Sequence, residues 1–352
     1  MRVPGEFPFV SIIMPIRNEG GYLRGALDAV LQQDYPPENV EILVIDGMSE
    51  DDTRAILAEY QAKQDRWFIF DNPRQIVPTG MNIALQHARG SMLIRVDGHC
   101  EIAPDYVRRC VHYLQNDLAD GVGGPMETIG QTAMARMIAI AMSSPFGVGN
   151  SAFRTVSDKT MFADTVPFPA YKRSVVEDAW GYDEELVRNQ DDEYNYRLRE
   201  LGYRILIASD IRSRYYSRST LSSLRRQYFQ YGFWKVRVLQ KHPRQMSLRQ
   251  FVPVFLVLAI IFSTLISFLH PIGSILLGLS IGSYVLANLT ASIITASQRG
   301  WESLWLLPLG FGIIHFSYGL GFLAGLFRFA NRWKDRQGQT PQMAPKDTAH
   351  VS

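Results

Sequence analysis

From Phe251 to Phe327 the only charged side chains are Arg299 and Glu302. A water-exposed surface cannot be built from such a stretch, so this part of the chain is expected to meet lipid. It divides into three apolar segments, Phe251–Leu269, Ile272–Ile294 and Leu304–Phe327. Each is close to the ~20 residues a bilayer-spanning helix needs. Lys241, Arg244 and Arg249 precede the first segment, and Arg328, Arg332, Lys334 and Arg336 follow the last. Basic flanks mark the cytosolic side, so both ends are expected inside. An odd number of crossings cannot achieve that. Either one segment is interfacial or re-entrant, or the third bends back at its glycines.

The preceding 250 residues carry ordinary charge. With 47% hydrophobic residues and a net charge of +2, the chain is read neither as disordered nor as strongly nucleic-acid-binding. Its two cysteines, Cys100 and Cys110, form no disulfide framework and no zinc spacing, which fits a reducing compartment. MRVPGEFPF is too short and too interrupted for a signal peptide, so this part is expected in the cytosol.

Within it, strand and helix signals alternate. Phe9–Ile16, Val40–Ile45, Trp67–Phe70 and Ser91–Val96 read as strands, and Tyr22–Gln33, Thr53–Lys63 and Thr79–Ala88 as helices. That order predicts a parallel sheet covered by helices, whose ligands bind beyond the carboxyl ends of the strands. Asn18-Glu19, Asp46 and Asp97-Gly98-His99 all fall at those ends. Alone, Asp97-Gly98 reads sooner as a strand-ending turn; three polar clusters on one rim are much harder to explain as three independent turns. Asp97 with His99 offers carboxylate oxygen and imidazole nitrogen, a pair suited to Mn²⁺ more than to Mg²⁺. There is no G-x-G-x-x-G after the first strand and no Walker loop. An acidic rim with few phosphate-binding glycines fits metal-assisted transfer from a nucleotide-diphosphate donor.

The motifs PIRNE (Pro15–Glu19), VIDGMSEDDT (Val44–Thr53), GMNIAL (Gly80–Leu85) and VDGH (Val96–His99) resemble those of family 2 glycosyltransferases of GT-A fold. GVGNSAFR (Gly147–Arg154), DTVPF (Asp164–Phe168), VRNQDDEYNYRL (Val187–Leu198) and QYFQYGFWKVRVLQKHP (Gln227–Pro243) narrow the resemblance to membrane-associated glucosyltransferases of the succinoglycan-synthesis type. The resemblance implies that Pro15, Asn18, Glu19 and Asp46 edge the nucleotide pocket, with Asn82 near the donor. Glu19 also suits a helix N-terminus, and Asn82 is as well read as a structural cap. Arg17 either meets the diphosphate or pairs with a nearby acid. The family's metal motif usually has a second aspartate where this chain has His99.

The same resemblance places Asp191 at the family's catalytic aspartate, with Gln190 where many relatives carry glutamate. An inverting transfer is a single displacement, so the acceptor hydroxyl must pass its proton to a nearby carboxylate. Asp192 and Glu193 either join the sugar site or form a helix-starting acid cluster. QYGFW (Gln230–Trp234) resembles the Q-x-x-R-W motif of processive synthases, with Phe233 in the arginine's place. By that resemblance Gln230 and Trp234 meet the acceptor sugar; the alternative for Leu221–Lys241 is an amphipathic helix lying on the membrane.

The expected architecture is an α/β GT-A catalytic domain over residues 1–217, an interfacial acceptor segment over 218–250, a transmembrane region over 251–330 and a basic, disordered tail over 331–352. The expected activity is inverting transfer of a hexose, with UDP-glucose the favoured donor, onto a polyprenyl-diphosphate-linked oligosaccharide for surface polysaccharide. A divalent cation, Mn²⁺ or Mg²⁺, is expected at Asp97 and His99, and the protein in the inner membrane with its catalytic part cytosolic. Two other readings are a processive polysaccharide synthase and a non-catalytic scaffold binding lipid-linked sugars.

Overall fold

The β-branched run Val10–Ile16 forms an inner strand of the larger sheet, and Ile12, Ile13 and Met14 are at most 1% exposed. A strand buried on both faces needs apolar residues at successive positions, and that is what this run supplies. The computed structural model describes residues 7–62, 65–149, 151–155, 158–217 and 219–341. Its elements begin β1 (Val10–Ile16), α1 (Leu23–Leu31), β2 (Val40–Asp46), α2 (Thr53–Gln61), β3 (Trp67–Asp71), α3 (Val77–His87) and β4 (Met92–Arg95). They continue β5 (Cys100–Ile102), α4 (Tyr106–Gln115), β6 (Gly121–Gly123), β7 (Met126–Ile129), α5 (Ala133–Met142), α6 (Pro145–Val148) and α7 (Ala152–Thr155). Next come β8 (Met161–Phe162), β9 (Ala170–Lys172), α8 (Arg173–Ala179), α9 (Gln190–Glu200), β10 (Ile205–Ile207) and β11 (Ser213–Tyr216). The chain ends with α10 (Leu221–Lys241), α11 (Val252–Ser267), α12 (Pro271–Arg299) and α13 (Leu307–Arg328).

These elements fall into two compact units. The first holds residues 7–127, 158–215 and 338–341 of those described. Its eight-stranded sheet runs β3-β2-β1-β4-β9-β6-β10-β8. β1 pairs in parallel with both β2 and β4, so the strand order reverses between β1 and β4. Such a reversal opens a crevice at the strands' carboxyl ends, where ligands bind. The sheet is mostly parallel, as expected. β9 lies antiparallel between β4 and β6, and its three residues carry no periodic signal by which that pairing could be read beforehand. Helix α1 buries Leu23, Ala26, Leu27 and Val30 at helical spacing.

The second unit holds residues 128–155 and 216–337, less 150 and 218. Thr220 caps α10, its hydroxyl accepting from Ser223 N at 3.2 Å. Helix α10 runs beside α13 in the same direction: a Cβ on Gly321 would stand 2.1 Å from Phe229 O, and one on Gly325 2.5 Å from Phe233 O. Gly319 takes the backbone of Pro253 of α11 in the same way. The glycines of α13 are therefore contact points between helix backbones. They do not bend it, and α13 is one unbroken helix from Leu307 to Arg328. Tyr284 Oη meets His315 Nδ1 at 3.1 Å, and His315 Nε2 meets Phe146 O at 2.8 Å. The carbonyl requires a proton on Nε2, so Nδ1 is the acceptor for tyrosine.

Helices α12 and α13 are long and apolar enough to cross a membrane. α11, 16 residues and so about 24 Å long, falls short of the ~30 Å hydrocarbon core. Of the tail expected to be disordered, 342–352 lie outside the described residues, whereas Gly338–Pro341 are hydrogen-bonded in the first unit.

Candidate active site

The rim beyond β1 and β2 is stitched together before any ligand arrives. Asn18 takes a left-handed backbone (φ 52°), which asparagine tolerates better than most residues. Its N–H donates to Ser49 Oγ at 2.9 Å, and its side-chain oxygen accepts from Glu50 N at 2.9 Å. Glu19 N donates to Thr53 Oγ1 at 2.9 Å. Asp46, 1% exposed, accepts from Ser49 Oγ at 2.5 Å and from Arg54 Nε at 2.6 Å. Half-buried Pro15 precedes this turn, and the stem of exposed Arg17 lies on Gly47, where a Cβ would come within 3.1 Å of it.

At the end of β4, Gly98 is needed for close approach: a Cβ there would stand 2.9 Å from both Glu19 Cγ and Ile16 Cγ2. The two residues around it turn to different partners. Asp97 accepts from Arg95 Nε at 2.8 Å and Nη2 at 3.3 Å. His99 Nδ1 meets Glu19 Oε1 at 2.8 Å, with its ring edge-on to Tyr215 at 4.8 Å. Among the described residues no three metal-ligating side chains are grouped.

Asp191 stands in the first turn of α9, after Asn189 in a left-handed backbone (φ 62°). A second arm of Arg95, Nη1, reaches its Oδ1, so one guanidinium holds both Asp97 and Asp191. Desolvation raises the Asp191 carboxyl above the usual carboxylate range, the Arg95 charge opposes this, and Asp97 and Asp192 add to the rise. Glu193 is 2% exposed and pairs with Arg197 at 2.8 Å, whose Nη2 also donates to Gly181 O at 2.9 Å. Asp192 is half-buried beside them. Gln190, 5% exposed, donates to Asp191 Oδ2 at 3.3 Å, while its Oε1 has no partner among the described residues. Behind the aspartate, Tyr182 stacks on Tyr194 at 4.2 Å.

Asn82 grips the loop leading to α9. It donates to Tyr182 O at 2.9 Å and accepts from Tyr182 N at 2.7 Å. The same loop is bound by Gln339 and Pro341. Gln339 N donates to Asp183 Oδ1 at 2.9 Å, Glu184 N to Gln339 O at 3.0 Å, and Gly181 N to Pro341 O at 3.1 Å. Asp183 is 1% exposed. Deleting residues 338–352 removes a donor from this buried carboxylate and should destabilise the first unit by about 1–3 kcal/mol. Urea unfolding of full and shortened chains measures the difference.

Gln230 and Trp234 sit on α10 in the second unit. Trp234 packs against Phe233 at 5.5 Å and Phe329 at 5.6 Å. The sheet and α9 thus bring together Glu19, Asp97, His99, Gln190 and Asp191. Two supporting residues escaped the sequence reading, Arg95 and Arg54. The first had a signal: a lone arginine in the buried run Leu93–Val96 must find acidic partners.

The family model described as Glycosyl transferase family 2 matches residues 11–180. The succinoglycan biosynthesis protein ExoA of Rhizobium meliloti is 28% identical over 323 residues, covering 91% of this chain and 96% of that protein. A dolichyl N-acetyl-alpha-D-glucosaminyl phosphate 3-beta-D-2,3-diacetamido-2,3-dideoxy-beta-D-glucuronosyltransferase of Methanococcus voltae is 26% identical over 335 residues, 93% of this chain and 99% of that protein. Among solved structures, the mannosyltransferase PcManGT from Pyrobaculum calidifontis, in complex with GDP-Man and Mn²⁺, superposes with a TM-score of 0.58. It shares 16% identity over 92% of this chain and 89% of its own.

Proposed function

Because this chain carries a family 2 glycosyltransferase domain of GT-A fold, we propose that it transfers a hexose from a nucleotide sugar to a lipid-linked glycan. UDP-glucose is the donor we assign, a polyprenyl-diphosphate-linked oligosaccharide the acceptor, and surface polysaccharide the product. Relatives named for succinoglycan synthesis and for transfer to a dolichyl-linked sugar support this reading. One observation carries the chemistry: carboxylates from a strand end and a helix start, Asp97 and Asp191, meet on a single guanidinium at the reversal in strand order.

In this reading the acceptor hydroxyl attacks the anomeric carbon as its proton passes to Asp191. The bond from that carbon to the diphosphate breaks, and the nucleoside diphosphate leaves with the electron pair. Gln190 and Asp192 orient sugar in the first unit; Gln230 and Trp234, on α10 of the second, are assigned to the acceptor sugar by resemblance of their motif alone. Pro15, Arg17, Asn18, Glu19, Asp46, Asn82 and Asp97 form the nucleotide-sugar pocket. Asp46 acts there by bracing the rim through Ser49 and Arg54.

Asp97 and His99 offer a divalent cation one oxygen and one nitrogen ligand. Were His99 Nδ1 to donate to Glu19, Nε2 would be left for the ion, the arrangement by which a carboxylate orients a metal-bound imidazole. Asp97 and His99 would hold the ion, which supplies positive charge for the leaving diphosphate. Helices α12 and α13 support a membrane location, with the catalytic unit on the cytosolic side of the inner membrane.

Radiolabelled donors, each offered to membranes carrying lipid-linked acceptors of defined length, test the reading; no labelled lipid from any hexose donor would refute it. Chelation should abolish transfer, with Mn²⁺ restoring it. Undiminished transfer in chelator removes the cation from the proposal.

A further inference from the structure

A fully formed arginine side chain inside a parallel sheet is costly. Arg95 is 7% exposed, on a strand whose neighbours Leu93, Ile94 and Val96 are at most 3% exposed. Burying a charge is tolerated only when partners satisfy it, and a whole buried ion pair can often be replaced by apolar residues at no cost in stability. The rest of the strand is apolar, so the cation is not needed to build the sheet.

Its partners tell what it does. Nε and Nη2 face Asp97, and Nη1 faces Asp191, which lies 96 positions further along the chain. Arg95 comes from the middle of the sheet, its Cα opposite Ile13 of β1. Helix α9 is not a neighbour in the sheet. Its first turn starts from a left-handed Asn189 and exposes 37% of the Asp191 side chain. Among the described residues that carboxylate meets two donors, the guanidinium at Oδ1 and, at a longer 3.3 Å, the neighbouring Gln190 amide at Oδ2; only the guanidinium ties it to the sheet. A planar guanidinium with donors on separate edges can fix two carboxylates at once; an ammonium, a single point charge, cannot.

We infer that Arg95 is a positioning residue: through its guanidinium it sets where the Asp191 carboxylate stands relative to Asp97, and so where the acceptor hydroxyl loses its proton relative to the leaving diphosphate. The inference rests on the reading of Asp191 as the base. It assigns Arg95 no contact with substrate.

The test compares Arg95→Lys, Arg95→Met and Asp191→Asn in the full-length protein. Transfer kinetics are read alongside direct titration with the nucleoside diphosphate. Arg95→Lys keeps the buried charge but loses the second edge, and should lower kcat about 10–100-fold, the scale of an ångström-sized misplacement. The donor KM and the nucleotide Kd should change less than kcat, because the rim of β1 and β2 is untouched and lysine still leaves Asp97 a cationic partner. Arg95→Met should lower kcat further and, by leaving Asp97 without that partner, weaken nucleotide binding as well. If Arg95→Met fails to fold, Arg95→Lys alone decides. Unchanged kcat in Arg95→Lys, or a weakened nucleotide Kd with kcat preserved, overturns the inference. Retained transfer in Asp191→Asn overturns the base assignment instead, so the two failures are separable.

Discussion

Asp191→Asn should lower transfer about 10²–10⁴-fold while nucleotide binding stays within about threefold. A positioned general base contributes roughly 10²–10⁴ in rate. Asparagine fills the same space and keeps an oxygen for Arg95 Nη1, so the link between α9 and β4 survives while the proton acceptor is lost. Two features sharpen the expectation. Gln190, the preceding residue, cannot take the proton, and Glu193 is committed to Arg197. Asp192→Asn is the matching control on the same turn, with an expected loss under about tenfold, because the proposed function gives it no proton to accept. Radiolabel transfer and nucleotide titration on each variant check both halves of the prediction. An Asp191→Asn protein that transfers normally would mean that another group accepts the proton.

The second large effect is structural. Gly321→Leu should destabilise the second unit by about 3 kcal/mol or prevent its accumulation. The added Cβ would stand 2.1 Å from Phe229 O and 2.8 Å from its carbonyl carbon, and backbone cannot swing aside as a flexible side chain can. α10 and α13 would have to separate along the stretch where Phe229 faces Gly321 and Phe233 faces Gly325. That separation also loosens the cluster of Val236, Val254, Phe322 and Phe329. Gly278→Leu in α12 is the control. Nothing lies within 4 Å of the Cβ it would add, so its cost should stay within about 0.5 kcal/mol. Chemical unfolding in detergent compares the two. Equal stability of both variants would show that α10 and α13 pack less closely than these distances require.

The sequence disclosed best what depends on nearby residues. β1 and β2 announce themselves because buried parallel strands need continuous β-branched runs, and α10 spans Leu221–Lys241, the stretch read as a basic, aromatic segment. Motif resemblance singled out Asp191 and Asp97, but it could not show that they share Arg95, since a side-chain meeting across 96 positions leaves no local pattern. His99 read as a companion of Asp97. Its Nδ1 turns to Glu19, a contact made by the approach of the β1 and β4 rims over Gly98. A bend at the glycines of α13 is one of two ways to reconcile three apolar segments with basic residues at both ends. The glycines' use, to let neighbouring backbones close in, depends on what packs against them. Pairing of β9 between β4 and β6 was illegible for a similar reason: three residues hold too little pattern to name distant partners.

The return of Gln339 and Pro341 to the loop before α9 bears on how the protein is made. A ribosome delivers the sheet and the aspartate of α9 first, then α10 to α13, and these few residues only after them. Buried Asp183 waits for Gln339 until all three apolar helices have been synthesised. A chain truncated within α11–α13 therefore has this loop held by Asn82 and Arg197 without Gln339 and Pro341. Full bracing of the loop thus marks a chain synthesised past its apolar helices.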